Sequence, residues 1–233
     1  MNKEEFISEL KKINITVSND ILNHLDTYYH LLIEENQKYN LTSITEENTV
    51  YLKHFYDSLT IVKGINLNNQ YMLDIGTGAG FPGLVLKIFF PALKIDLLDA
   101  TEKKCQFLKL VINKLNLKNI NVINARAEEY AIKNRNKYDI VTSRAVAPLK
   151  HLLEYSIPTL KINGTFIALK SNIEKELKNI DKYYQKLFLE SEEIITFNLP
   201  IENSLRTIYK VTKQKDTPNI YPRKYSQIIK KDI

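Results

Sequence analysis

The amino-acid sequence predicts an α/β fold in which a mostly parallel sheet follows a helical N-terminal region. Short apolar runs begin to alternate with helical segments at Tyr71, which is the pattern of consecutive βα units. The first of these runs leads directly into a glycine-rich loop. A chain of 233 residues, 44% hydrophobic and 26% charged, can bury one substantial core.

The N-terminal part of the chain has helical periodicity. From Lys3 to about Lys63 the apolar residues are spaced as on helix faces, and Ser18 and Asp20 can cap a helix at its start. The polar segment 38–43 interrupts this pattern and predicts a loop between helices.

The rest of the chain divides into predicted strands and helices. The predicted strands are residues 71–75, 94–98, 121–124, 139–142 and 165–169, with 191–199 and 206–212 as two final strands. The predicted helices are residues 82–90, 103–116, 149–161 and 174–187. The expected domain boundaries are 1–63 for the helical region, 64–212 for the main domain and 213–233 for an irregular basic tail.

Composition narrows the class of partner and the compartment. The net charge of +6 and the sequence pI of about 9.1 modestly favour a polyanionic partner such as RNA or DNA. The single cysteine, Cys105, excludes an internal disulfide and a cysteine-based zinc site. No stretch has the apolar length of a signal peptide or a membrane span, so we expect a soluble cytoplasmic protein without a membrane partner.

The glycine-rich loop predicts a ligand site. Glycines after a strand allow positive φ and bring backbone amides close to a ligand at the strand's carboxyl end. The loop reads Gly76-Thr77-Gly78-Ala79-Gly80-Phe81-Pro82-Gly83. Its part from Gly78 matches the G-x-G-x-x-G pattern of dinucleotide sites, so an NAD-dependent oxidoreductase is one alternative.

Asp74, at the end of the first predicted strand, favours a different ligand. Its carboxylate would repel a pyrophosphate, but it would attract the ammonium and sulfonium groups of S-adenosylmethionine, which carries no phosphate. The G-x-G-x-G register from Gly76 also begins immediately after the strand, whereas the register from Gly78 begins later. We interpret the loop as a site for S-adenosylmethionine.

Two further segments fit an adenosine ligand. Asp99 ends the second predicted strand, where a carboxylate can accept hydrogen bonds from both ribose hydroxyls; the alternative is a helix cap before Thr101. Residues 125–129 place an amide and a carboxylate where an adenine ring would lie; the alternative is a solvated, acidic helix start.

Six blocks along the chain match one known family in order and spacing. They are Tyr39-Asn40-Leu41-Thr42, His54 with Asp57-Ser58, the loop from Asp74 to Gly83, Asp99, Ser143-Arg144-Ala145, and Ala168-Leu169-Lys170. On these blocks the chain resembles the bacterial small-subunit ribosomal RNA guanine-N7 methyltransferases, the family once called glucose-inhibited division protein B. The resemblance covers most of the chain. In the tail, residues 221–224 resemble some members, but the Gly and Pro that often follow are absent from residues 225–233.

The resemblance implies a fold, a reaction and a partner. The fold is the class I S-adenosylmethionine-dependent methyltransferase fold, which is Rossmann-like, with a seven-stranded, mostly parallel sheet and here an N-terminal helical extension. The reaction transfers a methyl group from S-adenosylmethionine to N7 of one guanine in the conserved loop of 16S ribosomal RNA near the decoding centre. The partner is 16S ribosomal RNA or the small ribosomal subunit, and no metal is expected.

The resemblance also yields candidate site residues. The cofactor contacts would be Gly76, Gly78, Phe81, Asp99, Ala100, Thr101, Ala127, Glu128 and Arg144. The candidate substrate contacts are Asn40, His54, Asp57, Lys103 and Lys170, and the candidate catalytic residues are Arg144 and Lys170.

Arg144 follows the fourth predicted strand and Lys170 comes at the end of the fifth, both beside the expected crevice. The Arg144 fork could bind guanine or phosphate or brace the donor; the alternative is an ion pair with Glu128 or Glu129. Lys170 could touch the RNA backbone or be an ordinary solvated lysine. His54 and Asp57 lie three residues apart and therefore on one helix face, where we expect a polar cluster that supports the crevice or the substrate.

Methylation of guanine N7 needs no general base, because N7 carries an unprotonated lone pair outside the Watson–Crick edge. The site must instead align the reactants and tolerate the positive charge that grows on the purine. A methyltransferase for a protein or a small molecule, and a non-catalytic RNA-binding module, are the other functions that this fold could serve.

Overall fold

The protein is described by a computed structural model that covers residues 1–144 and 146–233, without the side chains of Ser191 and Glu192. Ala145, part of one predicted block, lies outside the described residues.

The N-terminal region is helical, as its periodicity predicts. Its elements are α1 (Lys3–Lys12), α2 (Asn19–Tyr39), α3 (Glu47–Val50), a π-helical turn (Tyr51–Tyr56), α4 (Asp57–Leu59) and a 3-10 turn (Thr60–Lys63). The Ser18 hydroxyl accepts a hydrogen bond from the Ile21 amide and caps α2, which confirms one of the two predicted caps. Asn40 ends α2 in the left-handed region, with φ of 51°.

Seven strands form one sheet. They are β1 (Tyr71–Ile75), β2 (Lys94–Asp99), β3 (Ile120–Asn124), β4 (Tyr138–Arg144), β5 (Leu160–Lys170), β6 (Leu189–Asn198) and β7 (Leu205–Lys213). Their order is β3-β2-β1-β4-β5-β7-β6. The first five pair in parallel, and β7 pairs antiparallel with β5 and β6. The predicted seven-stranded, mostly parallel sheet is confirmed.

The remaining helices connect the strands and end the chain. They are α5 (Gly83–Phe89), α6 (Glu102–Lys114), α7 (Ala127–Lys133), α8 (Leu149–Ser156), α9 (Asp181–Leu187) and α10 (Tyr225–Ile228), with a 3-10 turn at Ile157–Thr159. The predicted helix 149–161 ends early because Pro158 has no amide to donate and β5 has begun by Leu160. The predicted helix 174–187 is helical only from Asp181, because Asn179 takes a positive φ of 63°.

Two hydrophobic clusters cover the two faces of the sheet. One contains Phe6, Leu25, Tyr28 and Phe55 of the N-terminal helices together with sheet residues such as Met72. The other contains α8, α9 and tail residues such as Tyr221 and Ile228. The N-terminal helices therefore share a core with the sheet, while the boundary at residues 63 and 64 stays a prediction. Within the described residues no helix is long and apolar enough to cross a membrane.

A buried carboxylate ties four strands together. Asp96 on β2 is 1% exposed and accepts hydrogen bonds from Tyr71 Oη (2.7 Å), Tyr138 Oη (2.6 Å) and Asn121 Nδ2 (2.9 Å). Lys137 Nζ lies 3.1 Å from the same carboxylate. Burial disfavours the charged form of Asp96, but the hydrogen bonds outweigh burial and lower its pKa.

The Asp96→Ala variant should lose about 3 kcal/mol of unfolding free energy, because the buried Tyr138 hydroxyl on β4 loses its acceptor and the hydrogen bonds from β1 and β3 are lost with it. Urea unfolding followed by circular dichroism measures the loss. The control is Glu34→Ala, on the exposed face of α2, which should change stability by less than about 0.5 kcal/mol. Equal stabilities of the two variants would contradict a stabilising role for Asp96.

Candidate active site

The glycine-rich loop turns the chain sharply between β1 and α5. Gly76 has φ of +67°, and a Cβ there would lie 2.6 Å from the Val146 side chain, so both conformation and space require glycine. The amides of Gly76 and Thr77 donate to the Leu98 carbonyl at 2.7 and 3.1 Å. The loop is thus fixed to the carboxyl end of β2, next to Asp99.

Asp74, near the end of β1, fixes this loop through its buried side chain. Its carboxylate is completely buried, and its Oδ2 accepts a hydrogen bond from the Gly83 amide at 2.8 Å. A Cβ on Gly83 would lie 2.7 Å from that oxygen, which explains the glycine. Burial raises the pKa of Asp74 to about 6, although the Gly83 amide and the charge of Arg144 oppose the rise.

A cavity of about 470 Å³ opens at the carboxyl ends of β1 to β4; we call it the first cavity. It is lined by Ile75, Gly76, Leu98, Asp99, Ala100, Lys104, Ala125, Arg126, Ala127, Glu128, Arg144, Val146, Ala147, Tyr155 and Tyr225. Six of the predicted cofactor contacts are in this lining: Gly76, Asp99, Ala100, Ala127, Glu128 and Arg144. Its volume is in the range of sites for small molecules.

Asp99 presents its carboxylate to the first cavity in a fixed orientation. Its Oδ2 accepts from the Gly78 amide at 3.0 Å, and its Oδ1 accepts from the Thr101 amide at 2.8 Å. Asp99 is not the cap of α6, because Thr101 is at the N-cap position and no side chain caps the helix there. Asp99 instead forms part of the cavity wall. Gly78 and Thr101 do not line the cavity, and they act on it by orienting Asp99.

Phe81 lies behind the first cavity in an aromatic stack. Its ring centroid is 4.2 Å from that of His54 and 5.6 Å from that of Tyr28, with interplanar angles of 17° and 23°. The guanidinium of Arg144 lies over the same ring, 5.1 Å from the centroid. Phe81 does not line the cavity; it supports the side chains of Arg144 and His54.

Arg144 is fixed by residues of the N-terminal region. Its Nη1 donates to the Lys53 carbonyl at 2.9 Å and lies 3.7 Å from Asp57 Oδ2. Its Nη2 lies 3.3 Å from His54 Nδ1. The predicted alternative, an ion pair with Glu128 or Glu129, is wrong, because the guanidinium pairs with Asp57.

A second cavity, of about 270 Å³, adjoins Arg144 on its other side. It is lined by Ile44, Lys53, His54, Asp57, Arg144, Leu169, Lys170, Ser171 and Arg206. Arg144 thus lines both cavities. Three residues predicted for the substrate, His54, Asp57 and Lys170, come together here.

His54 is neutral in this surrounding. Burial, and then the positive charge of Arg144, lower its pKa to about 3. Because an arginine nitrogen can only donate, His54 Nδ1 must accept, and the ring proton is on Nε2. Nε2 lies 2.9 Å from Thr42 Oγ1, so the Thr42 hydroxyl accepts this proton in a hydrogen bond. His54 therefore orients Arg144 and carries no charge.

Arg206 is a site residue that the sequence reasoning missed. Its Nε donates to both carboxylate oxygens of Asp57, at 3.0 and 3.1 Å. Arg206 is the second residue of β7, which runs antiparallel to β5, so that Thr207 pairs with Lys170 at the carboxyl end of β5. An antiparallel direction for the last predicted strand would have placed Arg206 at the carboxyl end of β5, beside the other site residues.

The other predicted substrate residues are placed differently. Lys170 Nζ is buried, donates to the Ala147 carbonyl at 2.7 Å and pairs with Glu176 at 2.8 Å, so it is not an ordinary solvated lysine. Lys103 lies over the Tyr39 ring at 5.9 Å, and Asn40 caps α2. Neither Lys103 nor Asn40 lines the first or the second cavity.

Comparison with known proteins decides the family. The family model "rRNA small subunit methyltransferase G" matches residues 21–205. A ribosomal RNA small subunit methyltransferase G of Mycoplasma capricolum is 46% identical over 219 residues, which are 93% of this chain and 94% of that protein. The chain belongs to the rRNA small subunit methyltransferase G family. A second member, from Listeria monocytogenes, is 41% identical and covers 96% of both chains.

Solved structures give the same fold for this family member. The crystal structure of an S-adenosylmethionine-dependent methyltransferase from Aquifex aeolicus matches with a TM-score of 0.56 at 15% identity, over 74% of this chain and 97% of that one. The predictions of the family, the class I fold, rRNA methyltransferase activity and S-adenosylmethionine as cofactor are confirmed. An NAD-dependent oxidoreductase is excluded by the family, whereas the roles of single residues stay predictions.

The raised pKa of Asp74 should make the stability of this family member depend on pH. The folded protein binds the Asp74 proton more tightly than the unfolded chain does, since the pKa rises from 3.8 to about 6. The stabilisation is therefore fully present below about pH 4 and is lost as the pH rises through about 6. It amounts to about 3 kcal/mol.

Urea unfolding of wild type and Asp74→Asn between about pH 4 and pH 7 tests this assignment. The stability of the wild type minus that of the variant should fall with rising pH and then level off. The same difference for Gln37→Ala, which changes an exposed side chain that does not titrate, should stay constant. A flat difference for Asp74→Asn would contradict the raised pKa.

Proposed function

We propose that this protein transfers the methyl group of S-adenosylmethionine to N7 of one guanine in 16S ribosomal RNA, with the donor in the first cavity and the guanine in the second. The observation that carries this assignment of the two cavities is the position of Arg144, which lines both of them. A family of small-subunit rRNA methyltransferases supplies the substrate class. Because ribosomal RNA is a cytoplasmic substrate, the cytoplasm is the proposed compartment.

The lining of the first cavity fits S-adenosylmethionine. The Asp99 carboxylate would accept hydrogen bonds from the ribose, and the small residues Ala100 and Ala127 leave room for the flat adenine. Gly76 would let the donor approach the backbone. When bound, S-adenosylmethionine supplies an electrophilic methyl group on a sulfonium. Asp74 would act on that positive charge through its electric field, since it is buried behind the loop and lines neither cavity.

The second cavity fits an unstacked guanine. Asp57 is the anionic group of its wall, and Arg144 and Arg206 flank that carboxylate. A carboxylate beside the purine would offset the positive charge that develops on the base during methylation. The net charge of +6 supports approach of an RNA backbone. The chemistry at N7 requires no metal, and none is proposed.

Arg144 would position the guanine without blocking its reactive atom. An arginine often contacts guanine O6 and N7 together, but such a contact would occupy the lone pair that receives the methyl group. We therefore assign a contact to O6 alone. A guanidinium has five N–H donors, so the contacts to Lys53 and His54 do not exhaust it. The neutral His54 and the Phe81 ring would fix the plane of the guanidinium.

Lys170 stays a candidate for contact with the RNA because it lines the second cavity. Its ammonium, however, is paired with Glu176. A direct contact to an RNA phosphate would require the phosphate to replace Glu176. We therefore rank Lys170 below Arg144 as a catalytic candidate.

Mapping of ribosomal RNA from a strain that lacks this protein tests the function. Nuclease digestion and mass spectrometry should find one 7-methylguanine of 16S rRNA missing, and the wild-type protein should restore it.

Arg144→Ala and Arg144→Lys should restore little, with a loss in kcat/KM of about a hundredfold, because lysine cannot reproduce the fork. Both variants should bind S-adenosylhomocysteine and stay folded. An unchanged modification in the deletion strain would refute the substrate, and a fully active Arg144→Ala would remove Arg144 from the site.

The rate of methyl transfer should not depend on the protonation of a histidine. Because His54 is neutral and N7 needs no deprotonation, kcat should stay level from about pH 6.5 to pH 8.5. Single-turnover assays on small subunits measure this. His54→Gln should lower kcat by loosening Arg144, with the same level profile. A wild-type inflection near neutral pH that His54→Gln removes would instead make His54 a general base or acid.

A further inference from the structure

Tyr225, in the tail, lies against the first cavity. It begins α10 and lines the cavity together with Arg126 and Tyr155. The guanidinium carbon of Arg126 lies 4.6 Å from the centroid of the Tyr225 ring. Arg126 follows β3, which is the edge strand of the sheet. Tyr225 therefore lies at the β3 end of the cavity, whereas Arg144, at the end of β4, lies on the opposite side of β1 and β2.

The orientation of Arg126 is also fixed from the cavity side. Its Nε donates to Glu128 Oε1 at 3.3 Å, and the Glu128 side chain is 9% exposed. Glu128, Arg126 and Tyr225 thus form a continuous chain of contacts along the wall of the first cavity. These contacts restrict the position of the Tyr225 ring, which is 45% exposed.

The tail is held to the domain on both sides of Tyr225. Before it, Arg223 donates to the completely buried Glu154 through its amide, Nε and Nη2 at 2.9, 2.8 and 2.7 Å. After it, Ile228 is 2% exposed in the hydrophobic cluster. Arg223 is therefore used in a buried ion pair, and the tail residue between the two anchors is presented to the cavity.

We propose that Tyr225 is a cofactor-binding residue and that it holds the adenosine end of S-adenosylmethionine. This inference rests on the proposed function, which puts the donor in the first cavity. The β3 end would be the adenosine end, because Asp99 on β2 would accept hydrogen bonds from the ribose and the small Ala125 and Ala127 lie next to Arg126. An aromatic ring there offers a purine a stacking or edge contact.

Calorimetric titration of the full-length protein with S-adenosylhomocysteine, the demethylated product, tests the proposal. Tyr225→Ala should raise Kd about fivefold or more, the size of one lost aromatic contact. Tyr225→Phe should stay within about twofold of wild type, since it keeps the ring. Ile229→Ala, an exposed neighbour at the end of the same helix, is the matched control and should bind as wild type does.

A second ligand locates the contact within the cofactor. 5′-Methylthioadenosine lacks the amino-acid part, so Tyr225→Ala should weaken it by the same factor as S-adenosylhomocysteine. If the tail of Tyr225→Ala loosens, seen as a lower melting temperature than that of Ile229→Ala, then Tyr225→Leu restores apolar packing without the ring and should show the same loss of affinity.

Unchanged affinity in both Tyr225→Ala and Tyr225→Leu would overturn the proposal, and so would a loss restricted to S-adenosylhomocysteine. These outcomes leave the proposed function intact. Conversely, a wild-type protein that binds S-adenosylhomocysteine through Tyr225 but leaves ribosomal RNA unmodified would refute the proposed function alone.

Discussion

The pairing of Asp57 with two arginines is the interaction on which the site depends. Asp57 comes from the helical N-terminal region, Arg144 from the end of β4 and Arg206 from the start of β7. Three parts of the chain that are distant in sequence thus meet at one carboxylate. Without Asp57, two guanidinium groups would face each other across a half-buried space, and the second cavity would lose its anionic wall.

The same cluster explains why the helical region packs on the sheet. Burying a charge is costly unless it is paired and hydrogen-bonded, and the partners of Arg144 come from the helices: the Lys53 carbonyl, His54 and Asp57. The aromatic stack of Tyr28 and His54 on Phe81 adds apolar contact at the same place. The helices are therefore part of the site, and the sheet alone would leave Arg144 unsupported.

Much of the donor side was predictable from sequence because it depends on local order along the chain. In a parallel sheet every strand delivers its last residues to one edge, so Gly76, Asp99 and Arg144 could be placed there without coordinates. The burial of Asp74 was not predictable, because it depends on the loop folding back to Gly83. The ion pair of Asp57 with Arg206 spans 149 positions and requires the reversed direction of β7. Glu176, the partner of the buried Lys170, lies in a segment that was predicted to be helical but is not, so this ion pair could not be predicted.

The make-up of the first cavity wall has a consequence for selective inhibition. Four of its residues are alanines, Ala100, Ala125, Ala127 and Ala147, which offer a ligand shape but little chemistry to discriminate between related enzymes. A cofactor mimic that fills only this part of the cavity would gain little selectivity from it. Tyr225 and Arg126 line the same cavity at its β3 end. A compound extended toward α10 would instead meet an aromatic ring and a guanidinium, which offer more chemistry for selective binding than the alanines do.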